Sequence, residues 1–353
     1  MTTMNRREAL KLIGLGTTVA AVGCATKGGA SAEALDRHLA IKENADFSFV
    51  HLTDMHVRRK RKGDEGYRAA IAHVNALRPR PALALMGGDL AFDGNYTPKE
   101  EFEDQIGIYK EVTAGLAMPY YHALGNHDAL GWSSRRKCDP NDPEIGMKMI
   151  MDRLGMERNY YSFDAHGWHF AILDTMFEVK TDNGPTYTGK IGDEQLAWLA
   201  RDLGRAGTRP KVVVMHIAAF CAIGQINGDP NTKAITPGMV VADNKALRLI
   251  LERHGVKVVL QGHSHMIEDY TFNGVTYLTS PAVSACWWSG TWMGFPYGYT
   301  HLFVKGDQLT WERPTIAWKT HLEPEDSLER ERTKERAEFE AEQARLLAEE
   351  RAG

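Results

Sequence analysis

The chain reads as an α/β protein: a mixed two-sheet sandwich flanked by helices, with a metal site at the carboxyl ends of the strands. Three observations predict this. From Phe47 to Leu124, short apolar β-type runs alternate with segments of helical period, the pattern of a parallel layer. From Tyr160 to Trp311, hairpin signals such as Asn273-Gly274 join the alternation, so the sheets are mixed. Finally, five patches of His, Asp and Asn each stand at or just past the end of a β run, where open α/β sheets build their sites.

In chain order, Phe47 to Thr53 is a β run ending at Asp54. Tyr67 to Leu77 has Ala70, Ile71, Val74 and Leu77 at helical spacing. Ala82 to Met86 is apolar and ends at Gly87-Gly88-Asp89. Pro98 to Leu116 is a helix, opened by proline and by Glu100, Glu101 and Glu103 at the positive end of its dipole. Tyr120 to Leu124 is the next strand. Tyr160 to Phe163 and Trp168 to Leu173 form a hairpin, and Asp193 to Leu203 a helix with Leu196, Leu199 and Leu203 in register. Lys211 to Met215 delivers His216. After a helix over Asn244 to His254, Val256 to Leu260 delivers Gly262. Hairpins over Asp269–Thr279 and His301–Trp311 close the domain.

This places a globular domain over residues 46–320, between two segments of different composition. Residues 1–24 begin with Asn5-Arg6-Arg7-Glu8-Ala9-Leu10-Lys11 and continue through an uncharged stretch too short to span a bilayer, from Leu12 to Gly23. The segment resembles a twin-arginine export signal, and Ala21-Val22-Gly23-Cys24 resembles a lipobox whose Cys24 would be acylated. The expected location is therefore periplasmic or anchored at the membrane, with residues 25–45 as a flexible tether. Residues 321–353 are nearly all Glu, Arg, Lys and Ala, without sustained heptads. They are expected to form a solvated helical tail that hydrolysis does not need. The net charge of −4 gives no chain-wide basic excess, which argues against nucleic acid as a partner. Oligomeric state is not readable.

The five patches are Asp54-Met55-His56, Gly88-Asp89, Gly125-Asn126-His127-Asp128, His216 and Gly262-His263-Ser264-His265. Carboxylate, imidazole and amide oxygen are the donors that divalent cations take. Two cations held roughly 3.5–4 Å apart need a bridging ligand, and Asp89 is the candidate. The glycines before Asp89, Asn126 and His263 are expected to let the backbone turn sharply.

In this order the patches resemble the calcineurin-like metallophosphoesterase superfamily over most of residues 46–305. The resemblance implies one metal on Asp54, His56, Asp89 and His265 and a second on Asp89, Asn126, His216 and His263. It also implies a hydroxide between the metals as nucleophile. His127 would be the general acid or transition-state stabiliser, and Asp128 would orient its ring. Phe92 stands where purple acid phosphatases carry a metal-binding tyrosine, and His56 is present where they lack it. The implied cofactor is therefore a pair of Mn, Fe(II) or Zn ions without a ferric–phenolate centre. Gly88 to Gly94 also departs from the serine/threonine phosphatases, leaving a branch similar to the cyclic-nucleotide phosphodiesterases. The implied substrate is a small phosphate monoester or diester. A nuclease, a lipid-headgroup phosphodiesterase or an inactive metal-bearing scaffold are the alternatives.

Two elements are candidates for substrate contact. One is the basic run Arg58-Arg59-Lys60-Arg61-Lys62, with Arg135, Arg136 and Lys137 as a second basic group. The other is the aromatic set Trp287, Trp288, Trp292, Phe295, Tyr297 and Tyr299, of which Trp287 or Trp288 is expected near the pocket.

Overall fold

The computed structural model describes residues 29–227 and 238–326. The export signal, Cys24 and most of the charged tail lie outside the described residues. The chain divides between Ala40 and Ile41 into two units, and the second, from Ile41 onward, holds every strand among the described residues. One expectation is corrected at their junction. The supposed tether is helical over α1 (Gly29–Glu43).

The first sheet contains three parallel strands, β1 (Phe47–Leu52), β2 (Leu83–Gly87) and β3 (Tyr120–Ala123). The second carries β4 (Tyr161–Ala165), β5 (Trp168–Ile172), β8 (Lys211–Val214), β9 (Val258–Gln261), β10 (Glu268–Phe272) and β11 (Val275–Thr279) in the order β10-β11-β9-β8-β5-β4. Antiparallel β12 (Thr300–Lys305) and β13 (Gln308–Glu312) complete the first, as β13-β12-β1-β2-β3. A separate hairpin, β6 (Met176–Thr181) with β7 (Gly184–Gly189), stands apart from both.

The two sheets bury alternate residues against each other. Phe49 and Leu85 from the first join Phe170, Val212, Val214 and Leu260 from the second, and the rings of Phe49 and Phe170 meet edge to face at 5.6 Å. The opposite faces are covered by helices. Val50, Leu52, Ala84 and Met86 cluster with Tyr67 and Val74 of α2 (Gly63–Ala76) and with Phe102 and Tyr109 of α3 (Lys99–Thr113). Across the sandwich, Ala171, Val213 and Val259 belong with Leu199 and Leu203 of α5 (Asp193–Arg205) and with Leu247 and Leu251 of α7 (Asn244–Arg253). Strands covered on both faces read as continuous apolar runs, which is why β1, β2, β8 and β9 are so plain in the sequence.

Register aligns the strand ends. Leu52 pairs with Met86, Gly87 with Ala123, and Val214 with Leu260. The loops after these strands therefore leave one edge of the sandwich together. Three elements were not foreseen: α4 (Lys148–Leu154), α6 (Ile223–Asn227) and the β6–β7 hairpin. β6 is mostly solvent-exposed and β7 carries Pro185, so neither shows the alternation of a half-buried strand.

Candidate metal centre

At that edge two groups of side chains face one another. Asp54, His56 and His265 form one, and Asp89, His216 and His263 the other; within each group the donor atoms lie within 4.8 Å of one another. Asn126 joins the second through its Oδ1, 3.2 Å from His216 Nε2. The single oxygen Asp89 Oδ2 lies between the groups, 3.5 Å from His56 Nε2 and 3.1 Å from His216 Nε2. Asp89 Oδ1 accepts the His127 amide at 2.8 Å. One carboxylate oxygen is thus tied to backbone while the other is shared.

The hydrogen bonds fix the tautomers of three histidines. His56 Nδ1 donates to the Phe92 carbonyl at 3.0 Å, His216 Nδ1 to the Gly87 carbonyl at 2.9 Å, and His265 Nδ1 to the Ala285 carbonyl. A carbonyl only accepts, so in each neutral ring the proton sits on Nδ1 and Nε2 carries a lone pair. Those lone pairs converge. His56 Nε2 and His265 Nε2 are 3.1 Å apart, and His216 Nε2 faces two oxygen acceptors. Acceptors turned on acceptors in a buried place are what a cation resolves, so these residues fit two divalent ions.

The electrostatics agree. Burial pushes His56 down to about 3 and His263 down to about 4, leaving both neutral. Burial also opposes ionisation of Asp54 and Asp89, but the neighbouring histidines outweigh it and hold both carboxyls below the usual range. His216 is the exception: burial opposes its charge, yet Asp89 and Asp54 hold it up at about 9, so where no cation stands between them a proton on Nε2 takes the place the lone pair would offer to a metal.

Local backbone presents these groups. Asp54, His56, Asp89, His263 and His265 all have φ between 42° and 73°, the left-handed region that side chains avoid. The role expected of the glycines is corrected here. Only Gly88, at φ 95°, supplies a left-handed turn. Gly125 is extended, and its role is space: a Cβ there would lie 2.2 Å from Asp89 Oδ1. A Cβ on Gly262 would lie 2.2 Å from Thr53 Oγ1 and 2.7 Å from Asp54 Oδ2.

Other assignments also change. Asp128 does not orient His127. Its carboxylate accepts the amides of Gly125, Leu90 and Ala91, binding the Asp89 loop to the Asn126 turn. The residue beside His127 is Asp93, with Oδ1 3.3 Å from Nδ1. Sequence reasoning passed over Asp93, whose signal was its place four residues after the central aspartate. Trp287 is the aromatic at the site, its ring 4.4 Å from His265 and 5.5 Å from His56. Trp288 is not a substrate contact. It is fully buried, donates to the Met55 and His56 carbonyls at 2.9 and 3.2 Å, and packs against Gly63 and Gly66. Arg59 is turned to Asp104 at the surface, and Arg136 to the carbonyls of Gly131, Asn183 and Pro185. Arg58 lies 3.8 Å over the ring of Phe92, the residue whose carbonyl holds His56.

Two buried donor clusters sharing one carboxylate, at the strand ends of a layered α/β sandwich, define a dinuclear metallohydrolase. The model of the calcineurin-like phosphoesterase family matches residues 47–266. The chain belongs to that family and is a phosphoric ester hydrolase. It is similar to a probable cyclic nucleotide phosphodiesterase of Xenorhabdus bovienii, 25% identical over 69% of this chain and 88% of the relative. It is also similar to a 3′,5′-cyclic-nucleotide phosphodiesterase of Nostoc sp., 25% identical over 69% of this chain and 80% of the relative. A probable glycerophosphodiester phosphodiesterase of Arcobacter nitrofigilis is 23% identical over 67% of this chain and 78% of its own length.

Proposed function

We propose that the protein hydrolyses small phosphodiesters, using two divalent ions held by Asp54, His56, Asp89 and His265 and by Asp89, Asn126, His216 and His263. The observation that carries this is the convergence of two carbonyl-pinned histidines, His56 and His216, on the shared oxygen of Asp89, with the third, His265, turned to Asp54 and His56 beside them. Bound there, divalent cations acidify water and neutralise charge on phosphoryl oxygens. His127 supplies the other requirement of a diester, a proton for the departing alkoxide. Burial opposes its charge, but Asp89 and Asp93 outweigh it and raise its pKa to about 9; with Asp89 committed to the ions, Asp93 is the carboxylate left to favour the proton. Asp93 at Nδ1 leaves Nε2 available to a leaving oxygen. The diester preference is supported by the names of the relatives, which are cyclic-nucleotide and glycerophosphodiester phosphodiesterases.

The ions of this reading are Mn, Fe(II) or Zn, since Phe92 offers no phenolate. The amino-terminal Arg6-Arg7 segment supports a reading in which the protein leaves by twin-arginine export with Cys24 as a lipid anchor. Export in the folded state would let a manganese or ferrous site fill before it meets competing copper and zinc outside. The test is a screen of the metal-reconstituted chain against p-nitrophenyl phosphate, bis-p-nitrophenyl phosphate and cyclic nucleotides. Diester turnover above monoester turnover is expected; the reverse order overturns the diesterase reading, and inactivity on all of them overturns the enzyme.

A further inference from the structure

A pocket beside the metal centre bears on which alcohol the diester carries, and its use as a subsite rests on the diesterase reading. The 131–135 insert and β7 enclose a cavity of about 410 Å³, lined among others by Tyr96, Trp132, Ser133, Arg135, Thr186 and Tyr187. Its wall is continuous with the centre. The Tyr187 hydroxyl comes beside the Asn126 side chain and within electrostatic reach of Asp89 and Asp93. Asn95, adjacent to Tyr96, donates to the Asn126 carbonyl at 2.7 Å.

The lining has a definite chemistry. Trp132 and Tyr187 present rings 26° from parallel, with centroids 6.5 Å apart. The Arg135 guanidinium lies 4.9 Å from the centroid of the Tyr96 ring. Unlike Arg136, Arg135 makes no ion pair or side-chain hydrogen bond that commits it elsewhere among the described residues. The hydroxyls of Ser133 and Thr186 face backbone, accepting the Arg135 amide at 3.1 Å and donating to the Trp132 carbonyl at 3.4 Å, so they brace the walls. What remains for a ligand is ring faces and one uncommitted cation. The volume lies in the ~300–1,000 Å³ range of pockets that enclose ring-bearing ligands. A three-carbon polyol would leave most of it unfilled and would gain nothing from the aromatic walls.

We propose that this pocket is the subsite that holds the alcohol of the diester and that it fits a nucleoside, which in a 3′,5′-cyclic substrate carries both ester oxygens and stays on the phosphate when the ring opens. Its base stacks on the Trp132–Tyr187 wall beneath Arg135 and Tyr96, and Tyr96, Arg135 and Tyr187 set the specificity. Stacking and a guanidinium over a ring are the sequence-tolerant means by which proteins hold bases.

The test compares the metal-reconstituted full chain with its Arg135→Ala and Tyr96→Ala variants, both at exposed positions, after thermal melts show them folded. Two readouts are taken: kcat/KM for 3′,5′-cyclic AMP against glycerophosphoethanolamine, and calorimetric binding of adenosine 5′-monophosphate against glycerol 3-phosphate. Wild type is expected to bind the nucleotide more tightly, and each variant to lose about tenfold of that preference and of the kcat/KM ratio, the scale of one stacked base. Equal losses on both substrates, or a wild type that binds the two monoesters alike, would overturn the subsite. Preferential nucleotide binding with no diester turnover would retain the pocket and sink the diesterase reading instead.

Discussion

The start of the supposed tail contradicts its composition, and a perturbation there has a calculable cost. Asp326 is buried. Its carboxylate receives Nε and Nη2 of Arg61 and the Glu323 amide, while the Arg61 amide donates to Glu323 Oε1 at 2.8 Å. Arg61 Nη1 then donates to the Trp287 carbonyl at 3.0 Å. The basic run that looked like a phosphate attractor thus receives residues 323–326 and ties them to the aromatic beside His265. The pair is 14% and 7% exposed at the side chains. That excludes the surface class worth about 0–1 kcal/mol, yet falls short of the fully buried class in which removing one partner costs about 3–5 kcal/mol. We expect Asp326→Ala to cost about 2–3 kcal/mol, and a cycle with Arg61→Met to give a coupling of about 2 kcal/mol. The assay is urea denaturation of the metal-reconstituted chain, read as a midpoint shift at constant slope. A chain ending at Arg330 should keep wild-type stability, and one ending at Leu322 should lose as much as Asp326→Ala and raise KM for the diester. A loss below about 0.5 kcal/mol for Asp326→Ala, the range of an ordinary surface substitution, would refute the reasoning.

Three further outcomes are expected. His127→Ala should lower kcat on a diester by about 10²–10⁴-fold with metal content unchanged by elemental analysis; loss of metal would show that His127 is a ligand. Asp89→Ala should deplete both ions together, because one oxygen serves both clusters; one fully occupied site in that variant would refute the bridge. His169 sits between Asp164 (2.8 Å) and Asp202 (2.9 Å), and although burial opposes its charge, the two carboxylates raise its pKa. Its contribution is full below the unfolded value near 6.5 and fades as pH rises through the raised folded value. His169→Gln should therefore cost about 1–2 kcal/mol at pH 6 and less at pH 9; an equal cost at both would refute the charge.

What was legible came from burial on two faces and from metal chemistry at strand ends. Phe47–Leu52 and Lys211–Val214 are buried along their whole lengths, so their type and their exits to Asp54 and His216 were plain. The β6–β7 hairpin carries Tyr187 on an almost uniformly half-buried strand that contains a proline and pairs with a mostly exposed one, where no period marks a strand. Asp128 and Asp93 could not be sorted either. Both are aspartates near His127 in the fold, and only backbone geometry makes one a receiver of three amides and the other a neighbour of imidazole. Trp287 and Trp288 are adjacent and identical in type, yet left-handed backbone at both sends one ring toward His265 and the other beneath Met55.

The same left-handed backbone explains why the centre sits in so rigid a frame. Five of the proposed ligand residues are held at positive φ, each at a cost of about 1–2 kcal/mol for a residue with a Cβ. Such strain persists only where surrounding structure over-determines it. Here Asp54 N donates to the Gly88 carbonyl, His56 N to the Asp89 carbonyl and Ser284 N to the Asp54 carbonyl, at 3.0, 3.0 and 3.2 Å. The Trp288 indole holds the carbonyls of Met55 and His56 from below. These bonds are made by the chain itself, so the convergence of the ligands is a property of the fold. Ions entering it need not order loops that are already fixed. The ledge that aims Asp54 and His56 is therefore part of the catalytic apparatus even where, as with Trp288 and Gly66, it never touches substrate.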